Sequence, residues 1–173
     1  MDRKAAPFIA LAFLALAVAP LRANAQEGTR EPVSHRHVIS GNPLILLAGW
    51  FNAEYETKLA ETMTVGASGG WLDLDNADYT SLSAFLRFYP QAAAFTGFYL
   101  GSRFGIHNVE EKDHDSTTAL GFGVDIGYTW LLGPGRSFYV GLGIGATRLF
   151  GGDLHGASTT IPSLRLINVG FAF

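Results

Sequence analysis

The chain has 173 residues, a formal charge of −3 and no cysteine, which excludes a disulfide framework and argues against nucleic acid as a partner. It is 48% apolar, 13% aromatic and carries 21 glycines. Yet after the first 25 residues no stretch reaches the roughly 18 consecutive apolar residues that a membrane-spanning helix needs, and the length suits one domain.

Residues 1–25 read as a secretory signal peptide. Arg3 and Lys4 form a positive start, Ala5 to Ala19 an apolar stretch interrupted by Pro7, and Ala23-Asn24-Ala25 a small-residue cleavage site. Cleavage there removes Arg3, Lys4, Arg22 and Asp2, so the remainder is more acidic still. Residues 26–35 are mostly polar and read as a mobile segment, in which His35, with His37 just beyond, is tail rather than a metal site. Residues 36–173 then form the domain.

Asn42 to Gly49 is a short apolar run that leads into the first strong strand, starting near Leu46. In it Phe51, Ala53 and Tyr55 alternate with Asn52, Glu54 and Glu56. Further strands begin near Met63, Tyr79, Thr96, Thr117, Ser137 and Ile161. The most informative pair is Ala119–Phe150. One face of its first arm is Leu120, Phe122, Val124, Ile126, Tyr128 and Trp130; the other is mostly Gly121, Gly123, Asp125 and Gly127. The second arm sets Val140, Leu142 and Ile144 against Gly141, Gly143 and Gly145. Glycine-rich faces cannot fill a packed sandwich core. A wall that is bulky and apolar outside, small or polar inside, is that of a transmembrane β-barrel.

The turns agree. Those near residues 60, 92 and 134 are short, whereas the loops near 76, 112 and 155 are longer and polar, the asymmetry of periplasmic turns and extracellular loops in outer-membrane barrels. Seven strands conflict with the even number such barrels have. An eighth must therefore precede Asn42, and Arg36–Ser40 is the segment available for it. Aromatic residues gather at both rims: Tyr128, Trp130, Phe138, Phe88, Phe171 and Phe173 at the periplasmic one, Trp71 and Phe150 at the other.

In this register Glu54, Glu56, Arg87, Arg103, His107 and Asp125 point inward and form a charged lumen network, with Asp125 expected to pair with Arg103. An unpaired charge in a narrow, low-dielectric lumen costs on the order of several kcal/mol, so pairing is expected. Side chains fill an eight-stranded barrel, so the network plugs it. Glu54 and Glu56 lack the cleft that acid–base chemistry needs. The Ser, His and Asp residues of the loops (Asp113, His114, Asp115 and Ser116; Asp153, His155 and Ser158) match no catalytic motif, so the expectation is no enzyme and no cofactor. The acidic loops, with Asp73, Asp75 and Asp78 and with Glu110, Glu111, Asp113 and Asp115, can meet divalent cations but lack calcium-loop spacing.

The last residues alternate Ile167, Val169, Phe171 and terminal Phe173, with Arg165 breaking the pattern. This ending resembles the C-terminal signal that the barrel-assembly machinery of bacterial outer membranes reads. The layout resembles the small eight-stranded OmpA/OmpX-type barrels. Asn42-Pro43-Leu44 to Gly49 followed by Glu54-Tyr55-Glu56 is similar to the opening of a bacterial family of small outer-membrane barrels of unknown function. The resemblance implies fold and location and transfers no catalytic residue. The chain is thus expected to be an all-β, antiparallel, up-and-down barrel of eight strands in the bacterial outer membrane. It would be monomeric and surrounded by lipid and lipopolysaccharide, with a structural, envelope-integrity or surface-interaction role. The alternatives are a narrow porin-like channel, a lipid-modifying enzyme and a soluble periplasmic barrel holding an apolar ligand.

Overall fold

The computed structural model describes residues 35–74, 77–91, 93–111, 116–151 and 159–173. The proposed signal peptide, nearly all of segment 26–35, and Asp75, Asp113, His114, Asp115, Asp153, His155 and Ser158 lie outside the described residues. The elements are β1 (His37–Gly41), α1 (Pro43–Leu47), β2 (Trp50–Ala60), β3 (Met63–Leu74), β4 (Ala77–Phe88), β5 (Gly97–Glu111), β6 (Thr117–Leu132), β7 (Phe138–Phe150) and β8 (Thr159–Ala172). The strands close into a barrel in sequence order, every pair antiparallel. The eighth strand is β1, which joins β2 to β8 over its own five residues and so closes the sheet.

The period-two pattern sets inside and outside. Leu82, Phe104, Phe122, Val124 and Ile144 are more than half exposed on the outer face, while Glu56, Arg87, Thr129 and Asn168 are buried within. That inverts the soluble arrangement of apolar core and polar surface. Aromatic rings flank the apolar belt. The Tyr128 and Trp130 rings lie tilted with centroids 4.6 Å apart and Phe138 meets Phe171 edge-on at 6.2 Å at the short-turn end, and Phe51, Trp71 and Phe150 stand exposed at the other.

The lumen glycines make room for large neighbours. A Cβ on Gly127 would stand 2.6 Å from Cε1 and Cζ of Tyr99, whereas one on Gly69, on the outer face, would meet nothing nearer than 3.9 Å. Gly127→Ala should therefore cost about 1–3 kcal/mol through overpacking. Gly69→Ala should add about 0.5–1 kcal/mol by removing strand-interior chain entropy. The urea midpoint of the refolded barrel, at unchanged slope, reads both.

Two features differ from the sequence expectation. The run after Asn42 does not begin a strand at Leu46; it is the short helix α1, and β2 starts at Trp50. Asn42 caps it, its Oδ1 accepting from the N–H groups of Leu44 and Ile45 at 3.0 and 3.2 Å, and Pro43 occupies the first turn, where its missing N–H costs nothing. Gly49, with φ +82°, turns the chain out of the helix.

The second is an apolar stopper at the short-turn end. Val38, Ala94, Phe95, Leu131, Tyr139 and Ala172 form a buried cluster there. Ala94 N–H donates to the Glu61 carbonyl at 2.7 Å and so ties the β4–β5 turn to the β2–β3 turn. Phe95 has φ +68°, rare for a bulky residue, and is 1% exposed, so its burial offsets the backbone strain.

Candidate functional site

Above the stopper lies a layer of ion pairs. Glu54 and Glu56 share the inner face of β2, two residues apart. Arg87 of β4 is fully buried and bridges them, Nη2 donating to Glu54 Oε2 at 3.1 Å and Nη1 to Glu56 Oε2 at 2.5 Å. Its guanidinium lies over the Phe85 ring at 4.1 Å and the Tyr99 ring at 5.0 Å. Thr64 and Tyr89 hydroxyls also donate to Glu56. Arg103 of β5 donates to Ser68 Oγ at 2.7 Å and stands 3.6 Å from Glu54 Oε1.

The structure thus joins Glu54, Glu56, Arg87 and Arg103 in one network. Asp125 lies at its edge and, contrary to the expected pairing, does not meet Arg103. Among the described residues it lies in ion-pair reach of Arg87, with Nε 3.9 Å from Oδ2. Register explains the change: Arg87 pairs with Gly101, and Gly101 with Asp125. The glycine between them opens a path from guanidinium to carboxylate. Arg103 is level with Gly123, two residues away along β6. His107 stands apart from the ion pairs, nearer the long-loop end, where its Nδ1 lies 2.6 Å from the Tyr79 hydroxyl.

Arg165 is the functional residue missing from the expected network. Strict alternation back from Phe173 puts it outside, yet it is 7% exposed and inward. Nε and Nη2 donate to Glu54 Oε2 at 3.0 and 2.8 Å, and Nη2 also donates to Tyr139 Oη at 3.0 Å. A β-bulge causes this. Gly141 pairs with Asn168 but Gly143 with Arg165, so Leu166 and Ile167 together oppose Leu142 and both face outward. The signal in the sequence is the arginine itself, set where the alternation calls for an apolar side chain. The terminal residues Ile167, Phe171 and Phe173 are exposed on the outer face, with Val169 half-buried between them.

Three guanidiniums thus face three carboxylates. Glu54 and Glu56 are occupied by cations and hydroxyls, so neither is free to take a proton from a substrate. On the long-loop side of this layer the lumen widens into a cavity of about 350 Å³, reaching from Asn42 and Trp50 to Arg103, His107 and Arg165. At the rim of the sheet Asp73 pairs with Asp78 and Asp78 with Glu110, but among the described residues no acidic or imidazole cluster could hold a metal ion.

A family model described as a protein of unknown function, DUF3575, matches residues 11–150. The chain belongs to the DUF3575 family. Within this DUF3575 match lie Glu54, Glu56, Arg87, Arg103, His107 and Asp125; Arg165 and the bulge of β8 lie beyond it. The chain is also similar to the N-terminal β-barrel domain of Pseudomonas aeruginosa OprF, with 15% identity and a TM-score of 0.48, over 80% of this chain and 98% of that one. No curated protein matches.

Proposed function

We propose that this DUF3575 chain is an exported, integral outer-membrane β-barrel with a structural, envelope-integrity or surface-interaction role, its lumen plugged by the charged network. One observation carries the reading: a closed eight-stranded barrel with its large apolar side chains outside and its ion pairs inside. A soluble barrel holding an apolar ligand needs the opposite faces. An apolar belt between two aromatic rims suits a bilayer. The closed short-turn end favours a plug over a pore, because Phe95, Tyr139 and Arg87 are each at most 1% exposed.

In this reading the terminal Ile167, Val169, Phe171 and Phe173 serve the assembly machinery, and the acidic row Asp73, Asp78 and Glu110 faces the outside. There divalent cations bridging lipopolysaccharide phosphates would meet it. The chain works as a monomer and performs no catalysis.

Cell fractionation tests the location. The protein should sediment with the outer membrane and migrate faster on a gel unheated than boiled; recovery in the soluble periplasm without detergent overturns the reading. In planar bilayers the wild-type barrel should be electrically silent. Stepwise conductance would overturn the plug and favour the narrow channel.

A further inference from the structure

The cavity on the long-loop side is bounded by a weak place in the barrel wall. β1 has five residues and pairs with β8 only over Val38–Gly41 and Val169–Ala172. Beyond that point residues 159–168 of β8 pair with β7 alone, and Trp50 to Asn52 of β2 pair with β3 alone. The helix α1 packs against both β2 and β8 at this seam.

Donors without partners gather on the inner side of the seam. Asn42 Nδ2, Asn168 Nδ2 and Arg165 Nη1 are buried and make no hydrogen bond, in residues only 3%, 1% and 7% exposed. Gly41 pairs with Val169, so the next residues on the two segments, Asn42 and Asn168, adjoin, and Arg165 follows across the bulge. All three line the cavity. Leaving such groups unpaired is costly, and together they ask for an acceptor. The far wall repels one: Asp125 lines it with both carboxylate oxygens free of hydrogen bonds. Beside the polar Asn52 and Ser163, the lining at the seam has the apolar Ile45, Trp50, Ile161 and Leu166, and Leu166 is 47% exposed, so the cavity wall reaches the outer face.

We infer that this seam cavity binds a single-chain amphiphile with a carboxylate head. Asn42, Asn168 and Arg165 hold the head, and the chain lies against Ile45, Trp50 and Leu166 and leaves through the seam into the lipid. The volume is at the small end of ligand cavities, which suits one chain rather than a two-chain phospholipid. The inference rests on the barrel being embedded in lipid.

The chain contains three tryptophans, and Trp50 is the one lining the cavity. In the Trp71→Phe/Trp130→Phe background it becomes the sole reporter. With this protein refolded into phosphatidylcholine vesicles, ω-bromododecanoate should quench Trp50 saturably. The trimethylammonium compound of the same chain should bind at least about tenfold more weakly, as should the acid to Asn168→Ala or Asn42→Asp, since a hydrogen bond to a charged group is worth about that factor. Asn42→Asp keeps an oxygen to cap α1 and exchanges the donor for a negatively charged acceptor, which repels a carboxylate head, whereas Asn168→Ala removes a donor without adding charge. Equal quenching by the two head groups, or titrations that neither substitution alters, in protein that still shows heat-modifiable migration, would overturn this inference alone. Protein that does not enter the vesicles overturns the membrane reading and this inference with it.

Discussion

Replacing Arg87 by methionine should lower the unfolding free energy of the barrel by about 3–5 kcal/mol, the cost of leaving a buried charge without its partner. The group stranded at close range is Glu56, while Asp125, 3.9 Å from Arg87, loses a weaker partner. Glu54 keeps Arg165 at 2.8 Å and Arg103 at 3.6 Å, but among the described residues Arg87 is the only cation within 4.0 Å of Glu56. The second substitution Glu56→Gln should therefore recover about 1–3 kcal/mol of the loss, a coupling typical of residues in one network. Glu54→Gln should recover less, since it would strand Arg165 and Arg103 in turn. Urea titration of the refolded barrel in detergent reads all three. A methionine variant within about 1 kcal/mol of wild type, well short of the cost of breaking a buried ion pair, or equal rescue by either glutamine, would show that Arg87 does not hold the layer together. If the lumen is plugged as proposed, the methionine variant should also stay silent in planar bilayers, since the buried apolar cluster around Phe95 lies beneath the ion pairs and does not depend on Arg87.

The strands and their faces were legible in the sequence because a barrel wall enforces strict alternation, and Leu120 to Trp130 opposite Gly121 to Gly127 states it openly. Inward placement of Glu54, Glu56, Arg87, Arg103 and Asp125 follows from the same periodicity. Partner choice does not. Whether Asp125 meets Arg87 or Arg103 depends on the stagger between β4, β5 and β6, which turn geometry sets and which periodicity within one strand does not encode. Arg165 was hidden by a bulge that consumes one residue and reverses the parity of everything before it. The helix α1 carried its signal in Asn42-Pro43, a cap followed by a first-turn proline, but five apolar residues read equally well as the start of a strand. The stopper had no local signal at all. Phe95 becomes a core residue only because a turn with positive φ folds it back into the closed end.

Substituting arginine for Phe104 should destabilise the barrel by about 2–4 kcal/mol in phospholipid vesicles, while Phe138→Arg costs about 0–1 kcal/mol. The two side chains are comparably exposed, 56% and 41%, so solvent accessibility alone does not separate them. Position along the barrel does. Phe104 is central in β5 and pairs with Ala84 and Phe122, halfway between the turns and the loops. Phe138 begins β7 beside Phe171 in the aromatic rim at the short-turn end. In a bilayer, a central guanidinium must be drawn out of hydrocarbon, whereas one at the rim reaches the head groups. In water both are surface positions, where a substitution away from special features stays within about 0.5 kcal/mol. Urea unfolding of the two variants in vesicles therefore distinguishes an apolar belt that faces lipid from one that does not. Equal small losses at both positions would remove the bilayer from the account of this surface. A loss at Phe104 well above that at Phe138 requires the apolar middle of the barrel to face hydrocarbon, with the ion pairs around Arg87 on the opposite side of that wall.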